Sequence, residues 1–352
     1  MSDRLGPART LVTGGAGFIG GELVESLLAD GADVTVVDNL TTSSPDWAER
    51  FAGQPHLTLV EADATDAGTL DQVMKGRERI IHLAAGTDVA GGFQHPERDY
   101  VNGIAATHVV CEAMRRNGIG ELWFASSGVV YGSPAGGPSS ESDGALLPES
   151  HYAAAKLAGE AIISGFAHLY GWRSLVFRFG NTVGARSDHG VVHDLVVKLL
   201  RDPRRLEILG DGNQAKPYVA VDDLVAGMRH AAAVAPSQPV TTLNLGPEGS
   251  VPVRRVAELV IDALGIPPAS VELSYTGRSG SAGGGWPGDT ALVEFDTGAI
   301  RALGWSPRRD SEATIHDAAV GIALSYRTTG RRLLTAAERR AKSDLAMAEG
   351  SA

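Results

Sequence analysis

Tyr152 and Lys156 stand four residues apart in the run His151–Tyr170, which reads as one long helix, so the two side chains share a face. An ammonium beside a phenol favours the phenolate and lowers the tyrosine pKa. A tyrosine tuned in this way is a general base for a hydroxyl whose carbon gives up hydride. Ser126 and Ser127 close the run Glu121–Ser126, a predicted strand. A serine at the carboxyl edge of a parallel sheet lies where ligands bind and can hold a substrate oxygen; capping the strand end is its bland alternative.

Hydride needs an acceptor, and Thr13-Gly14-Gly15-Ala16-Gly17-Phe18-Ile19-Gly20 offers a place for one. Gly14, Gly17 and Gly20 form a G-x-x-G-x-x-G variant of the dinucleotide fingerprint. Glycines there permit a tight turn and let backbone approach a pyrophosphate, and the following helix N-terminus offers free N–H groups and partial positive charge. The motif sits between a β-branched run and an amphipathic helix, which is the context it requires. Asp38 ends the second strand, close to the ~20-residue spacing at which a carboxylate meets the adenosine ribose. A carboxylate there repels a 2′-phosphate, so NAD is favoured over NADP; Asn39 follows it. Asp63, with Ala64 beside it, is either an adenine contact or a turn former. His82-Leu83-Ala84-Ala85 ends the fourth strand, and its small residues let a cofactor lie close. His82 reads as a packed strand-end histidine.

Six strands position these residues: Thr10–Thr13, Val34–Val37, Leu57–Val60, Arg79–Leu83, Glu121–Ser126 and Ser174–Arg178. Helical patterns alternate with them, with Pro96–Asn117 read as one helix. Strand–helix alternation means βαβ units and a parallel sheet covered on both faces. The expected fold class is α/β, a Rossmann-type doubly wound parallel sheet with a smaller discontinuous C-terminal substrate lobe. Residues 1–180 form the NAD-binding domain with a return segment at about 213–247; 181–212 and 248–330 form the lobe; 331–352 are a C-terminal tail.

The chain has 352 residues, 43% hydrophobic and 21% charged, with net charge −11. An acidic chain is a poor nucleic-acid binder, because neutralising phosphates needs a basic face. Its single cysteine, Cys111, allows no intramolecular disulfide and fits a reducing cytoplasm. No run has the length of a signal peptide's apolar region or of a membrane span, so no membrane partner is expected. His189 and His193 lack a third ligand, so no metal site is read.

TGGAGFIG, Asp38–Leu40, HLAA, Asn102, FASSGVVYG, YAAAK, RFGNTVG and GDGNQAKPYVAVDD together resemble the extended short-chain dehydrogenase/reductase family in order and spacing. Within it the set is similar to the NAD-dependent epimerase/dehydratase group and most like its UDP-glucose 4-epimerases. The resemblance spans about Arg9 to Ala319. It implies Ser127, Tyr152 and Lys156 as the catalytic set, NAD as cofactor with Asn102 beside it, and a homodimer paired through Pro96–Asn117 and His151–Tyr170. It further implies that Asn181 touches a substrate diphosphate. Arg186 and Lys216 are phosphate or sugar contacts, or solvated surface charges. Dehydratases and decarboxylases of the family carry acids after the serine, where this chain has Gly128 and Val129. Epimerases carry an arginine beside the later Gly-Asp pair; Trp286 stands there, with Arg278 as a candidate replacement. Val293 falls at a substrate-size gate.

The expected function is a nucleotide-sugar 4-epimerase acting on a UDP-hexose, a uronic acid or an N-acetylhexosamine through a 4-keto intermediate. Two rivals share the fold. One is a net oxidoreductase of a sugar nucleotide or other carbonyl, dependent on added NAD(P)H. The other is a non-catalytic dinucleotide sensor, whose mark would be degraded catalytic residues; here all three are intact.

Overall fold

The computed structural model describes residues 8–43, 47–86, 91–133, 136–277 and 285–329. Seven strands make its central sheet: β1 Arg9–Thr13, β2 Asp33–Asp38, β3 Leu57–Glu61, β4 Arg79–His82, β5 Glu121–Ser127, β6 Arg173–Phe179 and β7 Val240–Leu245. Their order is β7-β6-β5-β4-β1-β2-β3, parallel throughout. The chain runs outward from β1 through β2 and β3, then crosses back to place β4 on the other side of β1. That reversal opens a crevice at the carboxyl ends of β1 and β4. Six strands match the sequence reading. The seventh was not expected, although Val240-Thr241-Thr242 carries a β-branched signal.

Alternate residues of each strand face opposite layers, so both faces of the sheet are apolar. Val12, Val36, Ile81, Trp123 and Phe177 pack beneath α1 (Phe18–Ala29) on one face. Leu11, Val37, Ile80, Leu122 and Val176 pack on the other, beneath α2 (Ala67–Val73), α3 (Ala106–Asn117) and α4 (His151–Tyr170). Full burial of each such side chain contributes ~1.5–3 kcal/mol. The later helices are α5 (Val191–Arg201), α6 (Val221–Val234), α7 (Val253–Ala263) and α8 (Ser311–Thr329). Helix α6 returns to pack on α1, and β7 then joins the sheet edge. Helices α5, α7 and α8 share a second apolar core with Leu206, Ile208 and Tyr218.

The predicted single helix Pro96–Asn117 is not continuous. It starts as Pro96–Asp99, passes through a π-helical turn at Tyr100–Ala105, and becomes α3. A π turn inserts an extra residue and often marks a functional site. Helix α4 is well bounded: Ser150 Oγ accepts from Ala153 N at 3.2 Å, and Gly171 ends it with φ +69°. Among the described residues, no helix is long and apolar enough to cross a membrane. The tail 331–352 and Arg278 lie outside the described residues.

Candidate active site

The glycine motif forms a cradle at the switch point. Gly14 adopts φ +70°, and a Cβ there would fall 2.7 Å from the Ala84 nitrogen. A Cβ on Gly20 would fall 2.1 Å from the Gly14 carbonyl oxygen, and Gly17 N–H donates to that same oxygen at 3.3 Å. Backbone from β1, α1 and the end of β4 therefore meets in a space that side chains would fill. Helix α1 begins at Phe18 with no capping side chain and no acidic residue in its first turn. Its N–H groups and dipole are directed to an anion. Phe18 packs beside Gly184, and Ile19 seats α1 on the core.

At the tip of β2, Asp38 accepts from Ala16 N and Leu40 N, each at 2.9 Å. Burial raises its pKa, and those two bonds work against the rise. Each carboxylate oxygen keeps a lone pair for a ribose hydroxyl. Asn39 donates to Asp63 at 2.8 Å, tying the ends of β2 and β3 together. Asp63 also accepts from Thr65 N and Thr65 Oγ1, in a turn that includes Ala64. Leu83, Ala84 and Ala85 run past the cradle, and the Asn102 amide lies 3.7 Å from where a Gly86 Cβ would sit. The cradle, the uncapped helix and the Asp38 carboxylate fit the pyrophosphate and ribose of NAD.

Beside Ala85 lies a small space lined by Gly86, Asp99, Gly103, Tyr152, Ala155 and Lys156. Gly103 lets the π turn press onto α4, since a Cβ there would fall 2.7 Å from the Ala155 Cβ. Lys156 donates to the Ala125 carbonyl at 2.7 Å, and its Nζ is 5.8 Å from the Tyr152 ring centroid. Burial lowers the Lys156 pKa to about 8, with Asp99 and Glu160 opposing the fall. Burial and then Asp99 push Tyr152 up to about 12, while a hydrogen bond from Ser127 lowers it. The expected depression of the tyrosine pKa is therefore not a property of the protein groups alone. Burial dominates, and Asp99, a buried carboxylate absent from the sequence reading, adds to the rise.

His82 is buried, paired with Thr13 Oγ1 at 2.7 Å and Thr107 Oγ1 at 3.2 Å, as the packed reading expected. Ser126 is a correction. Its hydroxyl is buried and donates to Glu160 at 2.5 Å, so it cannot reach a substrate. Strand alternation explains this: adjacent residues face opposite sides, and only Ser127 points to Tyr152. Arg186 bonds Glu22 at 2.7 Å and lies 3.6 Å from Glu25, so in this structure carboxylates of α1 answer its charge. Asn181 pairs its side chain with the buried Tyr218 phenol. Lys216 bonds the buried Asp289 carboxylate and lies over Trp286, 5.8 Å from its ring centroid. Val293 is buried against Val130, Tyr131 and Phe295. His193 is buried and bonded to Tyr326, while His189 meets Asp188. No metal-binding group is present among the described residues.

Gly128 has a steric reason. A Cβ there would fall 2.6 Å from the Phe295 ring and 3.1 Å from Val293. The position after Ser127 thus carries no acid and has no space for one.

The model of the NAD dependent epimerase/dehydratase family matches residues 10–246. A putative UDP-glucose 4-epimerase of Methanocaldococcus jannaschii is 30% identical over 306 residues, covering 85% of this chain and 93% of that one. The crystal structure of a UDP-galactose 4-epimerase superposes with TM-score 0.79 at 31% identity, covering 90% of this chain and 99% of that one. A dTDP-glucose 4,6-dehydratase from Streptomyces venezuelae, solved with NAD, superposes with TM-score 0.80 at 27% identity, covering 91% and 97%. The family model spans the cofactor cradle, the Ser127 turn and the Tyr152–Lys156 pair alike, and the chain belongs to the NAD dependent epimerase/dehydratase family.

Proposed function

We propose that this protein is an NAD-dependent nucleotide-sugar 4-epimerase, working through a transient 4-keto sugar. The observation that carries this reading over the dehydratases of the same family is Gly128 under Phe295, which keeps the position after Ser127 free of an acid. Water loss needs a second acid and base; epimerisation does not.

The glycine cradle and Asp38 would hold NAD, which would supply reversible hydride acceptance. The chain's own groups do the rest. Ser127 holds the sugar 4-hydroxyl oxygen, and Tyr152 takes its proton. Lys156 keeps positive charge beside the phenolate. The keto sugar turns in the pocket so that its other face receives the returning hydride, and Tyr152 gives the proton back to the 4-oxygen. Lys216 and Asn181 are the candidate diphosphate contacts, with Val293 close to the sugar.

Purified protein without added cofactor is incubated separately with UDP-glucose, UDP-glucuronate and UDP-N-acetylglucosamine, followed by chromatography and mass spectrometry. A new peak of unchanged mass supports epimerisation and names the sugar. Product lighter by one water supports a dehydratase, and turnover only with added NAD(P)H supports a reductase.

The reading includes a homodimer. Tyr100, Leu169 and Tyr170, on and beside α3 and α4, leave 61%, 78% and 50% of their surface exposed. Apolar exposure of this kind fits a covering helix pair. A cytoplasmic location goes with it, since the one cysteine, Cys111, is buried and needs no oxidising compartment.

A further inference from the structure

Tyr152, Lys156 and Glu160 are spaced four apart on α4 and form a ladder on one face. The third rung is tied to the sheet. Glu160 accepts from Ser126 Oγ at 2.5 Å, from Arg178 Nε at 3.0 Å and from an Arg178 terminal nitrogen at 2.7 Å. The pair is nearly dry: 11% of the Glu160 side chain and 6% of the Arg178 side chain are exposed. Arg178 also lies over the Tyr131 ring, 4.7 Å from its centroid, and the Tyr131 hydroxyl donates to Asn244 at 2.8 Å. One polar chain thus links α4, the ends of β5 and β6, the turn after Ser127, and β7.

We propose that Glu160 is a positioning residue of the reaction: with Arg178 it locks the end of β5 to α4, setting Ser127 against Tyr152, and it holds positive charge on Lys156. The proposal rests on the epimerase reading for its assay. Ser126 and Ser127 are neighbours on one strand, so a bond that fixes one hydroxyl sets the direction of the other. Lys156 is one turn from Glu160, and Glu160 is among the groups that hold up its pKa. The other charged or titratable groups facing Lys156 are Asp99 from the π turn, His82 from β4 and Tyr152 from its own helix. Arg178 from β6 stands behind Glu160. An apolar pair of similar volume would tie the elements as firmly. The ionic pair differs in placing a negative charge behind the catalytic ammonium.

The sign follows from that charge. With Glu160 neutral, Lys156 loses its proton at lower pH, so the alkaline limb of kcat moves to lower pH. Glu160→Gln should lower kcat roughly ten- to a hundredfold, as small misplacements of reacting groups do. KM and bound NAD content should stay near wild type. That variant strands a buried arginine, which is destabilising by itself. The double variant Glu160→Gln/Arg178→Met removes both charges and is the decisive companion. Its melting temperature should return to near wild type, while kcat stays low and the alkaline limb stays displaced. Glu160→Asp should recover part of kcat and move the limb back. If the double variant regains kcat together with its melting temperature, or if its alkaline limb coincides with wild type, Glu160 serves the fold alone and the proposal fails. Absence of epimerase turnover in the wild type would instead overturn the functional reading. In that case the ultraviolet phenolate titration of wild type against Glu160→Gln, each corrected with its Tyr152→Phe counterpart, still tests the electrostatic link: an unmoved Tyr152 titration counts against it.

Discussion

Lys156 donates its ammonium to the main-chain carbonyl of Ala125 at 2.7 Å, one strand residue before the Ser126-Ser127 pair. A buried cation is costly unless it is hydrogen-bonded, and this bond fixes Nζ under the tyrosine ring. Lys156 is therefore anchored to the same strand that presents Ser127.

Tyr152→Phe removes the phenolic oxygen and almost no volume. The variant should fold, keep its NAD and lose turnover by at least roughly a hundredfold, the lower end of what general-base catalysis supplies. Without cofactor the Tyr152 phenol is pushed up to about 12 by burial and Asp99. A cationic nicotinamide should bring it down, because an opposite charge nearby favours the phenolate. The ultraviolet titration of wild type against Tyr152→Phe, with and without NAD, measures this. Equal phenol titration in the two states would contradict the mechanism, as would near-normal activity of the variant.

Asp38→Ala removes a carboxylate poised at the tip of β2. Hydrogen bonds to a charged group contribute ~1.5–3 kcal/mol, so NAD affinity should fall roughly ten- to a hundredfold. The charge that repels a 2′-phosphate goes too, so the ratio of NAD to NADP affinity should shrink. Calorimetric titration with both dinucleotides checks the two effects. Unchanged NAD affinity would remove Asp38 from the ribose site.

His82 sets a pH dependence of stability. Burial, and then the Lys156 charge, lower its pKa to about 3, against ~6.5 in an unfolded chain. The native state holds it neutral, while the unfolded state takes up a proton below ~6.5. Its stabilising share is thus complete above about pH 6.5 and is lost as pH falls from there towards about 3. In His82→Gln that acid-side loss should be smaller. Urea midpoints measured from neutral pH down into this window compare the two slopes, and parallel slopes would refute the assignment.

Local sequence was enough for the glycine turn, the strands and the Tyr152–Lys156 pair, because each rests on short-range geometry. A tight turn needs glycine within a few residues, and a helix brings i and i+4 together whatever surrounds it. The seventh strand and the π turn escaped this reading, since β7 is defined by its partner β6 and the extra residue of a π turn leaves no composition signal. The fates of the polar side chains were decided only by the tertiary structure. Arg186 meets Glu22 across 164 residues of sequence, and Ser126 meets Glu160 across 34. Asp99 acquires its influence on Tyr152 only where the π turn presses Gly103 onto Ala155. A charge or hydroxyl carries no record of its partner in its own neighbourhood. Whether it faces substrate or another side chain is settled by which elements pack together, and packing is a property of the whole chain.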